Sequence, residues 1–251
     1  MNAMILAAGK GTRLHPLTET LPKPMVPVAG RPVLEHIVRW LRVHGVRRVA
    51  INLHHRGEAI RAHFGDGARF GVAIRYSDEP ELLGTAGGVK RVEDFFEDPF
   101  AVVYGDVLTD LDLGAVEAAH RASAAAGPHA TLVVDRRPGA ADVGFVEFAA
   151  DGRIRHFVEK PRPEDVRSPW VNSGIMILDR ALLARIPAGR FCDFGREILP
   201  SWLAAGVPLF AWTLPAGARL IDMGTPEKYA QANREWAEPA GGRARGESVT
   251  A

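Results

Sequence analysis

Leu6-Ala7-Ala8-Gly9-Lys10-Gly11-Thr12-Arg13-Leu14 is the stretch whose reading decides the fold. It closes a short apolar run, Ala3 to Ala8, that reads as a buried strand. Two glycines then permit a tight turn whose backbone N–H groups converge on one spot, as a phosphate chain requires. Lys10 and Arg13 add positive charge there, and Lys23, held between Pro22 and Pro24, brings a third cation. Two common phosphate loops do not fit. A dinucleotide-binding fingerprint needs glycine or alanine three residues after its second glycine, and an acid at the end of the next strand. Leu14 stands at the first place, and the next strand ends in Asn52-Leu53-His54. A Walker A loop needs its lysine after the second glycine, whereas Lys10 precedes it. The turn also reads as an ordinary strand-to-helix connection, so its meaning rests on what the chain sets beside it.

The 251 residues, 47% of them hydrophobic, are enough for one large or two small domains with a well-buried core. Charge is nearly balanced, with 31 basic against 30 acidic residues. No global basic field points to a nucleic acid partner, and a nucleotide needs only a local basic site. One cysteine, Cys192, excludes an intrachain disulfide and fits a reducing cytoplasm. The N-terminus lacks the pattern of a signal peptide, and no apolar run approaches the ~18 residues of a membrane span. The expectation is a soluble, cytoplasmic protein with no membrane partner.

Working outward, Pro16 to Pro32 carries five prolines and is expected to be an extended, ordered loop. Pro32 opens a helix to His44; strands follow at Val46–Leu53, Val72–Tyr76, Phe100–Tyr104 and Ala130–Val134, with helices at Glu58–Phe64 and Leu113–Ala126 between them. Ser77 to Val89, with Leu83-Gly84-Thr85-Ala86-Gly87-Gly88, reads as a polar loop before a helix reaching about Phe96. Alternating β and α segments with apolar strands predict an α/β fold around a mostly parallel sheet. Beyond about Asp135 the texture changes. Gly144–Phe148, Ile154–Val158 and Ser173–Leu178 are strands with little helix between them, and Asp151-Gly152 is a hairpin turn, so a smaller antiparallel sub-domain is expected. Phe194 to Ala205 reads as a helix disturbed near Pro200, with Phe191, Phe194 and Trp202 as core aromatics. Strands at Leu209–Leu214 and Arg219–Asp222 precede a last helix, capped by Thr225 and started by Pro226, to about Trp236. Residues 237–251 read as a disordered tail. The expected division is one domain over 1–236, with a nucleotide-binding part to about 135 and a second part over about 136–222.

Asp106 ends a buried apolar strand, the place where open α/β sheets bind ligands. Asp222 has the same setting before Met223-Gly224-Thr225-Pro226. Two aspartates at strand mouths beside a phosphate-type turn suit Mg2+, which takes one or two carboxylates together with substrate phosphates. Either could instead serve as a turn or cap residue, as Asp110 and Asp112 are read. Glu159-Lys160-Pro161 ends a strand: Lys160 could meet a phosphate and Glu159 could accept hydrogen bonds from sugar hydroxyls, or the two are an edge-strand charge pair. Asn172 can donate to and accept from a sugar, and Gly144 permits close backbone approach. The histidines, including His54, His55 and His63, lack metal-ligand spacing and read as structural.

The combination of Leu6–Leu14, Pro16-Leu17-Thr18, Pro22-Lys23-Pro24, Gly105-Asp106, Glu159-Lys160-Pro161, Asn172-Ser173-Gly174 and Asp222–Pro226 resembles the signature of the sugar-1-phosphate nucleotidylyltransferases. The resemblance extends from Met1 to Trp236. It implies that family's Rossmann-like nucleotidyltransferase fold, without the C-terminal β-helix that many members append. It further implies a nucleoside triphosphate held by Leu6, Ala8, Gly9, Gly11, Thr12 and Arg13, with Gly84, Thr85 and Gly87 at the base. Arg13 would face the departing phosphates and Lys23 the reacting one. Asp106 and Asp222 would hold Mg2+; Gly144, Glu159, Lys160 and Asn172 would hold a sugar 1-phosphate. The Leu-Gly-Thr-Ala-Gly form of the base loop looks more like the mannose-1-phosphate guanylyltransferase branch than the thymidylyltransferase one, and the related heptose and muramate branches carry similar loops; this favours GTP with a mannose- or heptose-type sugar, with a UTP- or dTTP-dependent enzyme as the alternative. A non-catalytic nucleotide-sugar sensor could share the fold after losing Arg13, Lys23 or a metal aspartate, and all are present. The resemblance also makes a homo-oligomer an expectation.

Overall fold

The computed structural model describes residues 1–237. Its strands are β1 (Ala3–Leu6), β2 (Pro27–Val28), β3 (Arg31–Pro32), β4 (Arg48–Leu53), β5 (Ala73–Asp78), β6 (Phe100–Tyr104), β7 (Val107–Thr109), β8 (Ala130–Arg136), β9 (Phe145–Phe148), β10 (Ile154–Val158), β11 (Trp170–Leu178), β12 (Leu209–Thr213) and β13 (Leu220–Asp222). Its α-helices are α1 (Val33–Val43), α2 (Gly57–Phe64), α3 (Gly84–Arg91), α4 (Leu113–Ala122), α5 (Leu199–Ala204) and α6 (Pro226–Ala237).

Strands β6-β1-β4-β5 lie side by side and run parallel. The chain leaves β1 towards β4 and β5 and later returns to β6 on the other flank of β1. The order therefore reverses at β1, and such a switch point leaves a crevice at the carboxyl ends of its strands. The glycine turn after β1 and Asp106 after β6 both open into that crevice. Beyond β6, β11 runs antiparallel and carries β8 and β9, with β10 and β12 outside them. The antiparallel strands anticipated after Asp135 are thus hydrogen-bonded into the same sheet as the parallel ones.

Alternation along the strands sorts the core into two faces. Ala3, Ile5, Val103, Ile175 and Ile177 pack under α1, α2 and α4. Met4, Phe100, Val102, Met176 and Leu178 pack under α3 and α5. Helix α1 buries Val33, Leu34, Ile37, Val38 and Leu41 along one stripe. Asp112 caps α4 by accepting from Gly114 N and Ala115 N, and Asp110 holds Arg219 at 2.7 Å, the turn and cap roles anticipated for the pair.

Three local readings change. The loop expected over 77–89 is shorter, since β5 continues to Asp78 and α3 starts at Gly84. Glycine costs a helix about 1 kcal/mol per residue relative to alanine, but Cys192 O accepts from both Ala86 N (3.0 Å) and Gly87 N (3.1 Å) and secures the first turn. The helix expected over 194–205 is a wide π-turn, Phe194–Ile198, running into α5. Pro200 has no N–H for an α ladder, and the wider turn accommodates it. Phe191 is not a core aromatic: it is 51% exposed, whereas Phe194 and Trp202 are buried. The anticipated tail lies, from Glu238 on, outside the described residues.

Candidate active site

Two cavities of about 270 and 210 Å³ adjoin at the crevice and share Tyr104, Asp106 and Asp193 in their walls. The larger lies over the turn after β1. Leu6, Ala8, Gly9, Lys23, Gly84 and Thr85 line it. The turn is held in place by Asn52, the residue that stands where a dinucleotide site would carry its acid: Ala7 N donates to Asn52 Oδ1 at 2.7 Å, and Asn52 Nδ2 donates to Glu79 Oε1 at 2.8 Å. Gly11 sits at φ +65, where a Cβ would come within 2.7 Å of Lys23 Cβ. A side chain there would push Lys23 away; with glycine, Lys23 lies flat on the turn and pairs with Asp106. Gly11 and Thr12 form the turn behind these walls. Lys10 is exposed and lines neither cavity.

Glycine at position 84 has φ +74, and a Cβ there would stand 2.6 Å from Cys192 O. The segment Arg190–Phe194 therefore lies directly against the base loop. Thr85 Oγ1 donates to Asp193 Oδ2 at 2.9 Å and accepts from Phe194 N at 2.8 Å. The Thr85 hydroxyl proton and the Gly87 N–H are thus engaged inside the protein, while Thr85 still lines the cavity.

The smaller cavity is polar. Arg13, Asp106, Asp222, Gly144, Glu159, Lys160 and Asn172 all face it. Arg13 thus borders the smaller cavity and not the larger one. A short antiparallel ribbon brings the two aspartates together: Asp222 pairs with Val107, and Met223 N donates to Asp106 O at 2.9 Å. Each aspartate faces a lysine, Asp106 with Lys23 and Asp222 with Lys228 at 3.4 Å. Two carboxylates open to one polar cavity, with room for phosphate oxygens, are the oxygen-rich donor set that Mg2+ takes. Glu159 is sandwiched between two glycines: a Cβ at Gly144 or Gly195 would lie 2.7 or 2.6 Å from its Oε2. Burial, and then the nearby Asp193 carboxylate, push the Glu159 carboxyl above its ordinary range. Lys160 adopts φ +48, a left-handed conformation costing about 1–2 kcal/mol in a residue with a Cβ, and borders the cavity. Asn172 N donates to Gly144 O at 2.8 Å, which joins β11 to the start of β9.

Sequence reasoning missed Asp193, Tyr104, Ser173, Lys228 and Phe191. Asp193 sits in both cavity walls and also caps the π-turn through Arg196 N; from sequence an aspartate before a helix reads only as a cap. Burial, reinforced by Asp193, pushes the Tyr104 phenol far above its ordinary range, so it stays protonated. Ser173 Oγ is buried, borders the polar cavity and has no hydrogen-bond partner within the described residues. No signal in the sequence marks it.

A second cluster, His120, His129 and Asp179, lies at the far end of β11 from the crevice, with candidate ligand atoms within 4.8 Å of one another. Its ring nitrogens already have partners. His120 faces Thr131 Oγ1 and Asp179, and His129 faces the carbonyls of Gly127 and His120. His63 likewise pairs with Glu35 and His54 with Glu79 O. These are contacts within the protein.

A switch-point crevice with a cationic glycine turn on one wall and converging carboxylates on the other defines a nucleotidyltransferase-type α/β protein. The chain belongs to the nucleotidyl transferase family, whose model it matches over residues 2–238. It is 38% identical, over 93% of its length and 63% of the relative's, to a UTP–glucose-1-phosphate uridylyltransferase of Synechocystis. It is 34% identical, over 94% of its length and 64% of the relative's, to a mannose-1-phosphate guanylyltransferase of Mycobacterium tuberculosis. Among solved structures, HddC from Yersinia pseudotuberculosis complexed with GMP-PN superimposes with a TM-score of 0.77 at 26% identity, covering 94% of this chain and 99% of that one. The chain spans less than two thirds of the length of the two curated relatives. No helix among the described residues is long and apolar enough to cross a membrane.

Proposed function

We propose that this protein is a sugar-1-phosphate nucleotidylyltransferase, which transfers a nucleoside monophosphate from an NTP to a sugar 1-phosphate. The observation that carries the reading is the junction of the two cavities at Asp106, with Lys23 on one side and Arg13 and Asp222 on the other. The nucleoside occupies the larger cavity, and the sugar the smaller one, against Glu159, Asn172 and Ser173. The two phosphate groups meet between them.

The sugar-phosphate oxygen attacks the α-phosphorus in line. The new P–O bond forms as the bond to the β-phosphate oxygen breaks, and pyrophosphate leaves with the electron pair. The attacking group is already an anion, so no protein nucleophile or base is needed. The obstacle is the repulsion of two polyanions, and the chain answers it with position and charge. Lys23 lies at the reacting phosphate, Arg13 at the departing ones and Lys160 at the sugar phosphate. Asp106 and Asp222 would hold Mg2+, which would supply neutralisation of phosphate charge.

For the donor we propose GTP, with a mannose- or heptose-type acceptor, supported by the Leu83–Gly87 loop and by the guanylyltransferase relative. The higher identity to a uridylyltransferase favours a second reading, UTP with a glucose-type acceptor. A matrix of the four NTPs and dTTP against mannose-, glucose- and heptose-type 1-phosphates, read by pyrophosphate release, separates these. Labelled pyrophosphate exchange into NTP is expected from an enzyme; its absence with every pair defeats the transferase reading in favour of a sensor.

A further inference from the structure

Phe191 is a large aromatic left half in water beside a ligand cavity. Burial of such a ring is favourable in the core, yet its neighbour Cys192 is fully buried while Phe191 is 51% exposed. The backbone accounts for the arrangement. Cys192 N donates to Leu83 O at 2.9 Å, and Cys192 O accepts from Ala86 N and Gly87 N. With Cys192 pinned inward, the Phe191 side chain is turned out and borders the larger cavity. Its Cε2 would stand 3.2 Å from a Cβ at Gly84, so the ring lies against the base loop. Leu82, also partly exposed, borders the same cavity. Of the charged groups, Lys23 and Asp106 also line this cavity, whereas Arg13 lines only the smaller one.

We infer that Phe191, with Leu82, forms an apolar platform for the nucleoside end of the substrate, against which the base packs its π face. This rests on the assignment of the larger cavity to the nucleotide. The segment Arg190–Phe194 thereby serves both halves of the site: Phe191 meets the base, and Asp193, two residues on, stands between the two cavities. A stacking platform tolerates every base, because each has a π face. Phe191 therefore contributes affinity rather than base choice.

The test compares nucleotide with a ligand that lacks base and ribose. Binding of GTP, UTP and inorganic tripolyphosphate to the full chain is measured by calorimetry for the native protein, F191A and F191W. F191A is expected to weaken both nucleotides about tenfold or more, equivalent to about 1.4 kcal/mol or more, while tripolyphosphate affinity changes less than twofold. F191W is expected to restore nucleotide binding. Unchanged nucleotide affinity in F191A overturns the inference, and so does an equal loss for tripolyphosphate, which would mark Phe191 as a prop for the whole loop. If native protein binds tripolyphosphate but no nucleotide, the nucleotide assignment of the cavity fails as well.

Discussion

In the larger cavity of the crevice, the wall from Leu6 to Gly9 and Lys23-Pro24 lies within one short stretch leaving β1. In the smaller cavity, the wall of Gly144, Glu159, Asn172 and Asp193 comes from four separate segments. The first wall is backbone and cation, shaped by a local turn, and Leu82, Thr85 and Phe191 complete that cavity from other segments. The second is mainly carboxylate and amide, held by strand pairing and by glycines that let neighbouring chains close on Glu159. A local turn keeps its meaning wherever it is placed, whereas an assembled wall depends on the sheet that carries it. The two walls meet at Asp106, and the experiments below challenge either their separateness or their junction.

The largest effect is expected at the junction. D106N removes the carboxylate charge at the meeting of the two cavities and its ion pair with Lys23, and kcat for pyrophosphate release should fall about 10²–10³-fold while circular dichroism shows an intact fold. Turnover within tenfold of native would break the metal assignment.

Next comes the separateness of the walls. K160A removes a charged contact worth about 1.5–3 kcal/mol. The KM for sugar 1-phosphate should rise about 10–100-fold, with the KM for NTP within twofold. If both rise together, Lys160 serves the junction rather than the wall of the smaller cavity.

A smaller effect concerns stability. The folded protein holds the Glu159 carboxyl above its ordinary value, so the native state binds this proton more tightly than the unfolded chain does. The favourable contribution of the protonated group is therefore fully present below the ordinary glutamate pKa and is lost as pH rises through the raised value. E159Q should raise Tm relative to native at pH 8, and the difference should vanish near pH 4 in thermal melts. A constant difference across that range would mean that Glu159 is not penalised for its charge. The smallest effect is expected at Lys10, exposed and outside both cavities: K10A should leave both KM values within twofold, which would confine the phosphate-binding charge of the turn to Arg13.

How far the site could be read in advance follows the same division. Gly9, Gly11, Arg13 and Lys23 are legible because a tight turn demands glycine, and a polyphosphate demands cations, within a few residues of each other. Asp106 and Asp222 are legible as carboxylates at strand mouths. Their proximity is not, because it depends on the β7–β13 ribbon. Asp193 and Ser173 were illegible, since a capping aspartate and a strand serine are common everywhere, and only the packing around them turns them to the crevice. Phe191 was misread because hydrophobicity alone predicts burial; the pinned backbone of Cys192 decides otherwise. Gly84, Thr85 and Gly87 were placed in a loop, because glycine-rich sequence disfavours helix until Cys192 O satisfies the helix start.

By itself, then, the sequence determined the alternating α/β order, the phosphate-type turn and the chemical types at the site, because strand period, turn sterics and charge are properties of neighbours along the chain. The tertiary structure alone decided the single sheet that joins both halves, the meeting of Asp106 with Asp222, and the outward turn of Phe191. Each of these is a contact between segments far apart in sequence, and its energy exists only once the sheet has brought them together.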